Sequence, residues 1–207
     1  MKKHAMQIRR AAMTILVLAA AGCVTKPSPP ASFYMVGPLA PAPASVPAET
    51  KNPKAMIAVE TVRVPAYLDR NQIVTTEDGT QYYLADFNHW AEPLSDSLTR
   101  TVAENLSRML AGESADVFPS ARAIPFDYSV NVEVLRLDGR MNDHVTLDAR
   151  WAIFGPDERD LLHVSKSQYR ETVGGNTYKE LVTAYSRAVE NLCRDVAASL
   201  KEVMAGP

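Results

Sequence analysis

Few side chains in this sequence are of the types that do covalent or acid–base chemistry, and their spacing gathers no set of them. Beyond residue 22 the histidines are His89, His144 and His163. Each stands alone, outside any HExxH, CxxC or similar ligand pattern. His163 alternates with Leu162 and Val164 as a strand residue does, which suits a surface or core histidine better than a metal ligand. Asp69-Arg70 has the types for an acid/base element, but adjacent opposite charges more often fasten a loop. No G-x-S-x-G elbow and no phosphate-cradling glycine loop is found, and Gly174-Gly175 reads as a strand-to-helix turn. Cys193 sits at the margin of an apolar helical stripe, the usual setting of a small buried thiol. These residues do not argue for an enzyme, and no metal or catalytic group is expected.

Cys23 is different, because of what precedes it. Lys2, Lys3, Arg9 and Arg10 form a basic start, and Ala11 to Ala21 an uncharged apolar run. A membrane-crossing helix requires about 20 apolar residues, so this run fits a secretory signal instead. It ends in Ala20-Ala21-Gly22-Cys23, which resembles the lipobox of bacterial lipoproteins, with Ala20 where leucine is commonest. The resemblance implies that residues 1–22 are removed, that diacylglycerol is joined to the Cys23 thiol, and that the new amino terminus receives an acyl chain such as palmitate. The alternative is an ordinary secreted protein cut near Ala21, with Cys23 a bystander. Val24 follows the cysteine where aspartate would signal inner-membrane retention, so the same resemblance points to the outer membrane.

Removal of the signal takes four of the 22 basic residues and none of the 24 acidic ones, leaving a net charge of −6. An acidic chain argues against nucleic acid as a partner and against a polybasic lipid contact. Attachment would then come from acyl chains, of which two or more hold firmly. With Cys23 acylated, Cys193 has no cysteine to pair with.

Residues 23–55 read as a lipidated tether rich in Pro and Ala, carrying eight of the fourteen prolines. One island, Ser32-Phe33-Tyr34-Met35-Val36, reads as a short docking strand closed by Gly37-Pro38. Only Val24 to Ala31 is free before it, a reach of at most roughly 28 Å.

Residues 56–207 read as one α+β domain. Met56–Val64 is a central strand by its β-branched run. Gln72–Thr76 and Gln81–Leu84 flank a Glu77-Asp78-Gly79 turn, and Asn88–Glu92 reads as a polar loop. Leu94, Leu98, Val102, Leu106, Met109 and Leu110 form a helical stripe that Gly112 can close. Val117-Phe118-Pro119 reads as an edge segment. In Asp127–Leu137 the apolar phase runs through Val130, Val132 and Val134, then slips to Leu135 and Leu137, which predicts a bulge. Val145–Ile153 and Leu161–Arg170 complete three antiparallel strands, and Thr177 caps a closing helix with Leu181, Tyr185, Ala188, Leu192, Val196 and Leu200 on one face. Trp151 is in phase with the core, whereas Trp90 is open between domain packing and partner contact. The expected architecture is two-layered: a mainly antiparallel sheet packed by two amphipathic helices.

Four stretches together resemble the PqiC/YmbA family of auxiliary lipoproteins of ABC-type transport systems. They are Cys23, the FYMV strand (Phe33–Val36), IAVETVRVPAYLDRNQIV (Ile57–Val74) and HWAEPLSDSLTRTVAENL (His89–Leu106). The resemblance implies a non-catalytic, periplasm-facing lipoprotein of the outer membrane. It implies work with an MCE-domain protein that moves lipid or other hydrophobic molecules between membranes, and a homo-oligomeric ring as the docked form. It carries over no catalytic residue, and marks Tyr67, Leu68, Asp69, Arg70, Trp90 and Glu92 as motif positions of structural or interface role. Two other readings stay open: a lipoprotein that itself binds a hydrophobic ligand, and an envelope hydrolase, which would need titratable groups gathered in a pocket.

Overall fold

The computed structural model of the protein describes residues 28–39, 55–119, 124–156 and 159–206. The signal (1–22), Cys23 and most of the tether lie outside them. Eight strands and two long helices follow in order: β1 (Ser32–Tyr34), β2 (Ala55–Val59), β3 (Gln72–Thr76), β4 (Tyr82–Trp90), α1 (Leu94–Met109), β5 (Ala115–Pro119), β6 (Tyr128–Gly139), β7 (His144–Phe154), β8 (Leu161–Thr172) and α2 (Tyr178–Ala205).

Five strands form the main sheet in the order β5-β2-β6-β7-β8. β6, β7 and β8 are a long antiparallel meander. β2 is an inner strand, next to the edge strand β5, and it runs parallel to both β5 and β6. Residues buried on both sides suit that position, since Ile57, Ala58 and Val59 are all fully buried. The chain leaves β2 after Val59 but keeps following β6: the Glu60 N–H donates to Val130 O at 3.0 Å and the Arg63 N–H to Val132 O at 3.1 Å. The predicted bulge is present, with the β6–β7 register shifting between Val134 and Arg136.

α1 and α2 pack side by side on one face of this sheet, α1 over β2 and β5 and α2 over β7 and β8. Leu98, Val102 and Leu106 of α1 meet a core that includes Val145, Leu147, Ala149, Trp151 and Ile153 of β7. The cap on α2 forms as expected: Thr177 accepts from the Glu180 N–H, and the Glu180 carboxylate accepts from the Thr177 N–H at 3.0 Å. The end of α1 differs from expectation. Gly112 lies in a 3₁₀ turn, and the left-handed residue that redirects the chain is Ser114 (φ 53°).

A second, three-stranded sheet has the order β1-β4-β3, with β1 parallel and β3 antiparallel to β4. β4 runs on through Asn88, His89 and Trp90, which the sequence reading placed in a loop. The reason is β1: Ser32, Phe33 and Tyr34 pair with those three residues, so a polar segment without alternation becomes strand through a partner over fifty residues away. Among the described residues no helix is long and apolar enough to cross a membrane.

Candidate functional site

Four of the motif residues lie in the segment between β2 and β3, and two lie at and just past the end of β4. The segment from Val64 to Asn71 closes on itself, with the Leu68 N–H donating to Pro65 O and the Arg70 N–H to Leu68 O, both at 2.9 Å. These turns drive Leu68 into the core, where it is 3% exposed. They also turn Tyr67 toward β6. Its hydroxyl donates to Asp138 Oδ1 at 3.1 Å and accepts from the Leu137 N–H at 3.2 Å. The Tyr82 hydroxyl donates to the same oxygen at 3.3 Å, and the two rings lie 5.0 Å apart. Burial, the largest cause, pushes the Tyr67 phenol well above its ordinary range, so it remains a protonated donor.

The other end of the segment is tied to β4, since the Trp90 N–H donates to Asn71 O at 2.7 Å. Trp90 is 6% exposed, and its ring lies 6.1 Å from that of Tyr185 on α2. Of the two readings left open for it, domain packing is therefore the one realised, and Leu68 is likewise an inner residue and not a surface contact. Glu92 pairs with Arg100 of α1. Asp69 and Arg70 are both exposed, and no ion pair joins them, so neither the fastener nor the acid/base pair that their adjacency suggested is formed.

The histidines do not converge. His89 of β4 meets Asp86 O at 3.0 Å. His144 begins β7 and meets the Asp143 carboxylate at 2.8 Å, while His163 stacks on Trp151 with centroids 4.8 Å apart. In the β7–β8 ladder His144 pairs with Thr172 and His163 with Ile153, so these two lie at opposite ends of one hairpin. Cys193 is fully buried, and burial pushes its thiol up to about 12, leaving it a neutral packing group. Among the described residues no group of three or more His, Cys, Asp or Glu is placed to hold a metal ion.

The outer face of the β6–β8 meander carries a polar cleft of about 290 Å³ lined by Arg136, Asp138, Arg140, His144, Gln168 and Arg170. Asp148 binds Arg136 at 2.8 Å and Gln168 at 2.8 Å, so much of this charge is internally matched. Guanidinium and carboxylate walls do not suit a hydrocarbon chain, and this cleft offers no support to the carrier reading.

The early strand β1 and the residues just after it are held from several sides. β1 lies parallel on β4, and the Ala91 N–H donates to Tyr34 O at 2.8 Å. Beyond it Val36 is fully buried, and its carbonyl accepts from Ser97 Oγ and Thr101 Oγ1 of α1, each at 3.0 Å. The Gly37 N–H reaches Ser186 Oγ of α2 at 3.3 Å. Five residues are thereby sewn to one sheet and both helices; the sequence reads the strand itself, and not the helix contacts that follow it.

Residues 38–197 match the family model described as the ABC-type transport auxiliary lipoprotein component. Two curated relatives, from Escherichia coli (strain K12) and Shigella flexneri, are each called intermembrane transport lipoprotein PqiC. Each is 33% identical over 98 residues, which are 47% of this chain and 51% of the relative. The chain thus spans about half the length of the curated relatives it matches. Its fold is similar to a crystal structure described only as an uncharacterized protein (TM-score 0.69, 22% identity, covering 83% of this chain and 99% of that one). It is also similar to that of a Xanthomonas campestris protein (TM-score 0.63, 14% identity, covering 84% and 97%).

Proposed function

Because this chain belongs to the family of ABC-type transport auxiliary lipoprotein components, we propose that it is a lipid-anchored, periplasm-facing adaptor of the outer membrane that works without catalysis. Its partner in this reading is an MCE-domain protein that carries lipid or another hydrophobic compound between membranes, met by a homo-oligomeric ring of the adaptor. The anchor is diacylglycerol and an amide-linked acyl chain on Cys23.

The observation that supports this reading most is the fixation of β1. With Ser32 already paired to Asn88 and Val36 sealed under α1, only eight residues separate Cys23 from the folded unit. A tether that short, spanning at most roughly 28 Å when extended, suits a docking part held at a lipid surface. It does not suit a carrier that must cross the periplasm with cargo. Relatives named for intermembrane transport point the same way.

The test is co-purification. Full-length acylated protein, cross-linked in cells and extracted in detergent, is expected to bring down an MCE-domain protein. Recovery without one from cells that express such a protein would count against the adaptor role.

A further inference from the structure

The exposed apolar side chains of this protein are not scattered. Of eleven large hydrophobic residues left exposed among the described ones, seven fall within residues 33–39 and 82–87, on or beside the small sheet. Patches of this kind mark contacts with proteins or membranes. Phe33 is the extreme case at 65% exposure, followed on the same chain by Met35 at 48%. Strand geometry explains the grouping. Phe33 pairs with His89, and their rings meet edge-on at 5.9 Å. Phe87, two residues before His89 on β4, is exposed as well, at 39%. The opposite face carries Tyr34 and Trp90, which turn inward, Tyr34 donating to Asn88 Oδ1 at 3.1 Å. Phe33 is thus left exposed beside Tyr34 and Trp90, which pack toward the core.

We propose that Phe33, Met35 and Phe87 form a lipid-contact face, which rests on the surface of the membrane that holds the acylated Cys23. The inference builds on the anchoring reading above and adds a defined orientation to it. The length of chain before the face selects the bilayer as its occupant. Phe33 is ten residues after Cys23, a length of chain that reaches at most roughly 35 Å when fully extended. The bilayer is accordingly the surface this patch meets at the highest effective concentration. Aromatic rings are at home at the headgroup boundary. The chemistry also favours an apolar contact over a charged one, because Arg100, which touches Met35 Sδ at 3.7 Å, is engaged by Glu92 and Glu104.

The experiment uses the full acylated protein reconstituted in phosphatidylethanolamine/phosphatidylglycerol vesicles with brominated acyl chains, which quench nearby tryptophan. Trp90 and Trp151 are buried and set the background. Phe33→Trp is expected to add emission that is quenched on bromination, as for a ring at the interface, with the same quenching at high salt. Val164→Trp, at an exposed site on β8, is the control and should lose none. Vesicle-bound protein in which Phe33→Trp is unquenched, or in which both tryptophans are quenched alike, overturns the lipid-contact face while leaving the anchor intact. Phe33→Trp shielded from bromine but cross-linking to a second copy assigns the face to self-association and also overturns it. Protein that fails to float with vesicles and shows no acyl mass removes the anchoring reading, and this inference with it.

Discussion

Tyr67 and Asp138, 71 residues apart in the chain, fasten the segment between β2 and β3 to β6 through a hydroxyl–carboxyl hydrogen bond of 3.1 Å. The Tyr67 hydroxyl also satisfies the Leu137 N–H, so removing it costs a donor and an acceptor at once. Tyr67→Phe should lower unfolding stability by about 1–3 kcal/mol. Tyr82→Phe, at a longer 3.3 Å and with its ring more exposed, should cost less. Urea denaturation of both variants, with Asp138→Ala to complete a double-mutant cycle, measures this. A Tyr67→Phe protein as stable as wild type would refute this fastening role.

Gly139 gives the second prediction. A Cβ there would lie 2.3 Å from the Tyr185 hydroxyl and 2.7 Å from Leu181 Cδ1. Gly139→Ala should therefore destabilise by about 1–3 kcal/mol through overpacking. Adding Tyr185→Phe, whose lost bond to Val74 O is a long 3.4 Å, should restore part of the loss. Thermal melts of the single and double variants decide it, and an unchanged melting temperature for Gly139→Ala would contradict the close approach.

How far the sequence discloses this fold depends on what its patterns encode. The slip from Val134 to Leu135 discloses a bulge because alternation is local, and the α1 and α2 stripes disclose two helices for the same reason. Neighbour relations are not local. That β2 runs parallel between β5 and β6, or that His89 and Trp90 are strand because β1 lies beside them, is written in no spacing. Tyr67 was legible as a motif position, but its partner Asp138 was not, since an aspartate within an alternating strand carries no mark of what it meets.

Cys193 provides a chemical test of the helix-covered core. Burial raises its thiol to about 12, so the neutral form contributes stability that is intact below the unfolded thiol's value of about 8.5. That contribution is lost as pH rises from there through about 12. Maleimide at pH 7 should label Cys193 only in denaturant, and rapid labelling of native protein lacking Cys23 would show the site open.

Asp78 has the opposite sign. The N–H groups of Thr80 and Gln81 donate to its Oδ1 at 2.8 and 3.0 Å and hold its carboxyl at about 2. Its contribution to the β3–β4 turn is present above the usual carboxylate value near 3.9 and fades as pH falls from there through about 2. Carboxyl NMR of the folded protein should give Asp78 a midpoint near 2, and Asp78→Asn should flatten this part of the acid stability curve. A midpoint near 4 would contradict the turn geometry.

The adaptor role depends most directly on the state of Cys23. The measurement is intact mass of the protein purified from envelope fractions, alongside density separation of inner and outer membranes, for wild type and Cys23→Ser. The prediction is that wild type begins at Cys23, carries diacylglycerol and an amide-linked acyl chain, and sediments with the outer membrane, while Cys23→Ser does not. A wild-type polypeptide without acyl groups that remains in the soluble periplasmic fraction would contradict the central claim.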